Sequence, residues 1–394
     1  MMQKKLIVVA LTAVFALPVQ AVADNGNFTF YGKADVSYDL VNTGDGTKKA
    51  VTAADPTGSG AVTGVSKRVV SSNVSKFGFK GSEELGDGLS AIWQIEQQID
   101  IDAAAKNTFA SRNTFAGLKS ETLGTVLFGI HDTPYKLSTR KLDVFGDSIA
   151  DNRSLMGNKS GAGFELRPSN VLAYISPAFV GITAAVATVN LTEANVNDTQ
   201  TNNSALSMAV MYDVAPFYAS VAHESHTFGA VAAVAAVAPT AGSVGAAAIS
   251  AAEPATESAT RVGFGYTQDA ISVGVVYEKT SDDLAANKDS KFGHSAVYVG
   301  GKYKLGNSAV KLAYGKSTSI GDGAAKLVDS DASQISVGYD YGLSKNTKVY
   351  AIYSMITNGK GINYGFSQST AAGSSTSGFG TSPSVLSLGL QHNF

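Results

Sequence analysis

The chain has 394 residues, with 30 Lys+Arg against 32 Asp+Glu, 41 glycines, 16 tyrosines, 18 phenylalanines and no cysteine. A net charge of −2 offers no basic surface for neutralising phosphates, which excludes nucleic acid as a partner. Without cysteine there are no disulfides, no thiolate chemistry and no cysteine–metal sites, and no metal or other cofactor is expected. An exported chain of this composition would cross an oxidising compartment with nothing to oxidise.

The first residues carry Lys4 and Lys5, an apolar run from Leu6 to Leu17, Pro18 and the small triplet Ala21-Val22-Ala23. That order predicts a secretory signal peptide over residues 1–23, cleaved after Ala23. Roughly 12 apolar residues are too few to cross about 30 Å of hydrocarbon as a helix. Removing them takes two lysines and no acid, so the net charge of residues 24–394 falls to −4. Those residues read as a single domain.

From Phe28 onward the period is two. Phe28, Phe30, Gly32, Ala34, Val36, Tyr38 and Leu40 fall on one side, and Thr29, Tyr31, Lys33, Asp35, Ser37 and Asp39 on the other. Leu89, Ala91, Trp93, Ile95, Ile99 and Ile101 oppose Ser90, Gln94, Glu96, Gln98 and Asp100 in the same way. Ile271, Val273, Val275 and Tyr277 oppose Ser272, Gly274 and Glu278, and Ile335, Val337, Tyr339 and Tyr341 oppose Gln334, Ser336 and Asp340. Alternation over about ten residues is the mark of strands crossing a bilayer at a tilt.

Long polar connections are expected near 43–70, 102–109, 132–164, 190–203, 227–259, 281–293, 318–332 and 358–382. Tight turns are expected between them, at Glu83–Gly88, Glu121–Leu123, Pro177–Phe179, Asp213–Pro216, Gln268–Asp269, Gly306–Asn307 and Ser344–Asn346. This rhythm predicts an all-β fold: a closed antiparallel transmembrane barrel of about sixteen strands, with long external loops and short periplasmic turns. A soluble β-sandwich also alternates, but its strands are shorter and its connections lack this long–short beat. Tyr38, Tyr174, Tyr266, Tyr277, Tyr303 and Tyr341, near the ends of apolar faces, suit interfacial girdles. The uncharged, alanine-rich stretch from Thr227 to Ala252 is broken by Pro239, Gly242 and Gly245 and reads as a low-complexity external loop. At the far end Leu386, Leu388, Leu390, His392 and Phe394 share one face, as a strand closing the barrel against the first would require.

An enzyme on such a barrel would need a nucleophile with a base and an orienting carboxylate. The histidines are His131, His223, His226, His294 and His392; His223 and His226, three apart on a strand, point to opposite faces, and no Gly-x-Ser-x-Gly elbow occurs. A sugar-selective channel would carry a file of inward aromatics, and Tyr31, Tyr298 and Tyr350 make no evident row.

Phe30-Tyr31-Gly32-Lys33, Ser75-Lys76-Phe77-Gly78-Phe79-Lys80-Gly81, Arg112 followed by Phe115-Ala116-Gly117-Leu118-Lys119, Gly124 through Phe128-Gly129, and the terminal Phe394 succeed one another along the chain. In that order and spacing they resemble the general diffusion porins of Gram-negative outer membranes, over essentially all of residues 24–394. The resemblance implies a homotrimer of sixteen-stranded barrels in the outer-membrane lipid, passing small hydrophilic solutes and ions passively, with the third loop (132–164) folded into the lumen. It implies that Lys33, Lys76, Arg112 and Arg167 form a basic wall facing that loop, with Asp143, Asp147 and Asp151 as the opposing acids. It implies too that Phe394 is an assembly signal read by the barrel-assembly machinery. A substrate-selective channel, or a surface-binding or adhesin barrel using the long loops, is the alternative.

Alternation agrees for three of the basic residues. Lys33 lies opposite Phe30 and Val36, Lys76 opposite Phe77 and Phe79, and Arg112 opposite Phe115. A lysine at the lipid midplane would cost about 2–4 kcal/mol, so these side chains should point to water. Asp143, Asp147 and Asp151, at i, i+4 and i+8, would share one face of a helix if cations lie opposite; a solvated loop is the other reading.

Overall fold

In the computed structural model of the chain, residues 27–48, 58–102, 109–157, 163–191, 203–228, 255–282, 293–321, 327–367 and 378–394 are described. The expected signal peptide and the alanine-rich part of the 227–259 loop, residues 229–254, lie outside them. The alternating segments become strands, sixteen of them lining the barrel among the described residues. These are β1 (Phe28–Asn42), β2 in two pieces (Ser66–Ser72 and Lys76–Gly86), β3 (Leu89–Gln98), β4 (Thr114–Ser120), β5 (Gly124–Ile130), β6 (Val171–Ile175), β7 (Ile182–Asn190) and β8 (Ser204–Val214). The second half comprises β9 (Phe217–Phe228), β10 (Ala255–Gln268), β11 (Ile271–Asp282), β12 (Ser295–Leu305), β13 (Ser308–Ser317), β14 (Ala332–Gly342), β15 (Thr347–Asn358) and β16 (Ser384–Asn393).

Each strand pairs antiparallel with its chain neighbours, and β1 pairs with β16 on one side and with both pieces of β2 on the other. The sheet is therefore closed. The predicted turns fall between β2 and β3, β4 and β5, and so on to β14 and β15, while every long connection falls at the opposite end. Four expected loops change their bounds: the 102–109 loop widens, with β3 ending at Gln98 and β4 beginning at Thr114, and the 132–164 loop runs on to 170. The last residues of the 43–70 loop join β1, with Ser66 to Ser72 opposite Asn42 to Val36, because Lys67 and Arg68 hide the alternation there. Strands β9 and β10 run into the predicted 227–259 loop, where small Thr and Ser residues (Thr256, Ser258) replace a clear apolar face.

The period-two pattern sorts as expected. Val273 and Val337 are 40% and 48% exposed on the outer surface, whereas Ser336 beside Val337 is 1% exposed. Trp93 belongs to the outer aromatic cluster, 6.2 Å from the exposed Phe28. At the seam the Phe394 N–H donates to the Gly32 carbonyl at 3.0 Å, and the Gly32 N–H donates back at 2.7 Å. The Phe394 ring lies over Gly32, where a Cβ would come within 2.3 Å of it, and packs 5.7 Å from Phe30.

Two interruptions break the regular course of the strands. Between the pieces of β2, Asn73, Val74 and Ser75 form a bulge in which Val74 takes φ 56°, a left-handed conformation unusual for a β-branched residue. It is stitched to β1 by the Asn73 N–H donating to the Asp35 carbonyl and by the Ser75 hydroxyl, which accepts from the Asp35 N–H and donates to its carbonyl. The other interruption is the connection 131–170, which carries a short helix, α1 (Pro134–Leu137), and two 3₁₀ turns, Arg140–Leu142 and Asn152–Ser154.

Because Val337 sits mid-strand on the outer face, Val337→Arg is expected to lower stability in lipid vesicles by about 2–4 kcal/mol and Val337→Leu to leave it within error. Denaturant unfolding of the two variants in the same vesicles checks this.

Candidate functional site

The described residues of the connection 131–170 are held by contacts to the polar faces of the strands. At its start Thr133 caps α1, accepting from the Lys136 N–H, and the Tyr135 N–H donates to the Ser207 hydroxyl of β8 at 2.9 Å. The Tyr135 hydroxyl reaches Glu278 of β11 at 2.6 Å, and Tyr218 of β9 donates to the Ser138 carbonyl at 2.6 Å. Further along, Leu142 crosses glycines. A Cβ on Gly274 would lie 2.2 Å from the Leu142 carbonyl oxygen, and side chains at Gly263 and Gly265 would strike its methyl groups. Phe145 occupies the space above Gly338, and the Lys311 ammonium lies 4.9 Å from its ring. Only residues without a side chain leave room for backbone at that distance.

At its far end Phe164 stacks on His226 of β9 at 4.8 Å. His226 is enclosed between Glu224 (2.9 Å) and Glu257 (2.5 Å). Arg261 of β10, also enclosed, pairs with Glu278 and with Glu165 and lies 4.4 Å over the Tyr135 ring. Neither cluster is announced by any local motif. Their signal is parity alone: Glu224 and His226 share a face, as do Glu257 and Arg261.

The three loop aspartates do not form a helical row. Asp147 takes φ 63°, and the 3₁₀ turns stand either side of it. Asp151 caps the second turn and pairs with Arg140 (2.9 Å) and Arg153 (2.7 Å). Asp143 accepts from the Phe145 and Asn152 N–H groups, both at 2.9 Å, and from the Tyr298 hydroxyl at 2.8 Å. Asp147 pairs with Arg153 at 2.8 Å and Arg140 at 3.6 Å but keeps 38% of its side chain exposed. Burial opposes its ionisation, yet the charges of Lys33, Arg140, Arg153 and Arg112 hold its carboxyl well below the usual range. Asp143 goes the other way: burial and the neighbouring Asp151 charge push it up to about 6.

The wall residues come together in part. Lys76 and Arg112 share Glu96 of β3, at 3.0 Å and 2.6 Å, and Tyr31 donates to the same carboxylate. Lys33 lies 3.6 Å from Asp35. Arg167 stands elsewhere, at the base of the connection, 3.0 Å from Asp132 and bonded to Asn113. There Lys136 also pairs with Asp132, at 2.8 Å. Glu96 and Asp35 were visible only as polar-face residues. That they compensate the wall cations follows from cross-strand register, Lys76 opposite Gln98 placing it diagonally across from Glu96. Among the described residues no group of three His, Cys, Asp or Glu has metal-binding geometry.

A closed antiparallel barrel with an apolar exterior and a charged interior is the architecture of an outer-membrane channel. Residues 8–361 match the family profile described as Gram-negative porin, and the chain belongs to that family. It is 27% identical over 367 residues to the major outer membrane protein P.IB of Neisseria sicca, spanning 91% of this chain and 95% of that one. It is 28% identical over 375 residues to the P.IB protein of Neisseria lactamica, spanning 94% and 98%. Among solved structures, the anion-selective porin from Comamonas acidovorans superposes with a TM-score of 0.69 at 20% identity, covering 93% of this chain and 99% of that one. The Salmonella typhi OmpF complex with daunomycin gives 0.59 at 16% identity, covering 95% and 100%. The protein is thus a passive diffusion channel of the Gram-negative outer membrane, not an enzyme.

Two outcomes are expected of the loop seat. Gly274→Val, which puts a side chain into the Leu142 backbone, should displace the connection and change single-channel conductance while leaving the barrel's β-sheet spectrum intact. Asp143 is held above the ordinary aspartate value of about 3.9, so its contribution to stability is greatest below that value and lost as the pH rises through about 6. Wild-type protein should therefore melt higher at pH 5 than Asp143→Asn predicts by its own pH trend, and the two trends should run parallel above pH 7.

Proposed function

We propose that the connection 131–170 folds into the lumen and forms, with the wall opposite, a charged constriction that filters small hydrophilic solutes and ions. Asp147 is its acid, and Lys33, Lys76 and Arg112 are its cations. The observation that carries this reading is that Asp147 alone of the three loop aspartates keeps much of its side chain open, 38% against none for Asp151, while Lys76 and Arg112 meet at Glu96 on the polar face of the wall. Asp143 and Asp151 serve the loop itself, one holding backbone and Tyr298, the other holding Arg140 and Arg153. Arg167 acts with Lys136 on Asp132 as an anchor of the loop's base.

Cations on one side of a narrow aqueous section and a carboxylate on the other set up a transverse field. Such a field orients dipolar solutes and screens ions by charge, while the loop limits size. An apolar molecule must shed the ordered water there and passes slowly. Nothing in the mechanism consumes energy, so flux runs down the gradient.

The family and the OmpT of Vibrio cholerae described in a trimer form support a homotrimer, and the cationic, apolar, small-residue order of residues 1–23 supports export by signal peptide. Phe394, seated over Gly32 and against Phe30 at the seam, is suited to be read by the assembly machinery before the barrel closes.

Planar-bilayer recording tests the constriction. Conductance should appear in triplet steps, linear in voltage, and Arg112→Gln should move the reversal potential in a salt gradient towards cation preference. An unchanged reversal potential would remove Arg112 from the constriction, and single steps that saturate with one solute would favour a substrate-selective channel.

A further inference from the structure

Interior positions of β6, β7 and β8 are uncharged along most of their length. From Val171 to Ile175, Thr183 to Val189 and Ala205 to Met211 they hold only Ala, Val, Ile, Met, Thr and Ser, and the first charge is Asp213 at the turn end. An apolar wall of this kind needs cover in an aqueous interior, and the connection 131–170 gives it only in part. Tyr135 and Phe164 pack with Ala209. Nearer the tight turns a partly enclosed cavity of about 230 Å³ stays open. Its lining, mainly apolar, is formed by Pro134 and Leu137 of α1 facing Ala173, Ile175, Ala185 and Met211 of the wall.

The rim of the cavity is charged. Asp132 pairs with Lys136 at 2.8 Å and with Arg167 at 3.0 Å, Arg140 with Asp151 at 2.9 Å, and Lys141 with Asp213 at 2.5 Å. Asp147 and Arg153 complete the network around Arg140. Five cations thus meet four carboxylates, and one positive charge is left over. Of the two cations in the lining, Lys141 is the more open, with 42% of its side chain exposed against 20% for Arg140. Its ammonium lies 4.0 Å from the centre of the Tyr218 ring, which also lines the cavity. An ammonium has three hydrogens to give, and Asp213 takes one. An apolar floor with an available cation at its edge complements a molecule with an apolar body and one anionic end.

We propose that this recess binds a small aromatic carboxylate, its ring against Ala173, Ala185 and Met211 and its carboxylate on the Lys141 ammonium. Size argues for a ring system. An apolar cavity of about 150 Å³ holds one benzene, and about 230 Å³ leaves room for a second fused ring. Ala173 and Ala185 provide that room, because a larger side chain at either would occupy it. A rigid ring loses less freedom on binding than a flexible chain of the same volume. An organic cation would add to the surplus positive charge, and a neutral ring would leave the Lys141 hydrogens to water. For 2-naphthoate, with about 13 non-hydrogen atoms, the dissociation constant should be about 0.1–1 mM. Lys33, Lys76 and Arg112 do not line the recess, so the site does not depend on the constriction proposed for those cations.

The test uses the full-length protein in lipid nanodiscs, with 2-naphthoate, 2-naphthylmethanol and 2-naphthylmethylammonium as probes and saturation-transfer NMR as the readout. Naphthoate should bind saturably, the alcohol about tenfold more weakly for want of the charged contact, and the ammonium more weakly still. Ala185→Trp, which fills the recess, should abolish saturable binding of naphthoate. Thr183→Tyr, which closes the recess from the turn end, should do the same and serves where the first variant fails to fold. Lys141→Gln should weaken naphthoate about tenfold and leave the alcohol unchanged. Undiminished naphthoate binding in the folded, filled variants would place the probe in lipid or open lumen and overturn the site. Binding of the ammonium as tight as that of naphthoate would overturn the carboxylate assignment.

Discussion

Within hydrocarbon no water is available to bond a free backbone N–H or C=O, so every strand edge must find a partner. Closure of the sheet, with β1 paired to β16 on one side and β2 on the other, is what satisfies that demand, and the remaining features depend on it. A closed sheet has two faces, and the side-chain period of two sends alternate residues to lipid or to the interior. Register errors of one residue would put Lys33 or Glu96 into lipid, so the polarity of the two media itself locks the pairing. The seam is tightened where chain ends meet, by Phe394 and Gly32 exchanging two backbone bonds.

Inside, charge is abundant but seldom free. Glu96 holds two cations, Asp132 holds two, Glu278 and Glu165 hold Arg261, and Asp340 holds Lys311 and Lys348. Pairs of this kind are weak contributors to net stability, because desolvation offsets most of the attraction, but breaking one member is costly. Their effect here is positional. Lys136 paired with Asp132 and Arg261 over the Tyr135 ring fix α1, and Asp151 ties the two 3₁₀ turns through Arg140 and Arg153, while glycines at 263, 265, 274 and 338 clear the space that backbone and Phe145 occupy. Asp147 differs because its partners leave it partly exposed.

The bulge at Asn73–Ser75 shows the same economy in the wall itself. One strained residue, Val74, allows Asn73 to turn inward and Ser75 to bond both groups of Asp35. Bulges commonly re-aim side chains in this manner. Here the re-aimed side chain joins Ser37, Tyr350 and, through Tyr350, Asp35 into a single polar ladder.

Fold, strand number and turn positions were legible in the sequence because they depend on a local signal, the alternation of apolar and polar residues between turn-forming residues such as Gly306-Asn307 and Asp213–Pro216. The faces of Lys33, Lys76 and Arg112 were legible for the same reason. Parity states which medium a side chain meets; it does not state which residue on another strand it meets there. The partnership of Lys76 and Arg112 through Glu96, the enclosure of His226 between Glu224 and Glu257, and the placement of Arg167 beside Asp132 arise from register across strands distant in sequence. The spacing of Asp143, Asp147 and Asp151 suggested a helical row, and tertiary contacts overrode it: Arg140, Arg153 and Tyr298 each draw a carboxylate in a different direction. Local periodicity thus determined the barrel and its two surfaces, while the pairing of the polar-face charges was decided only when closure set strands remote in sequence into register with one another.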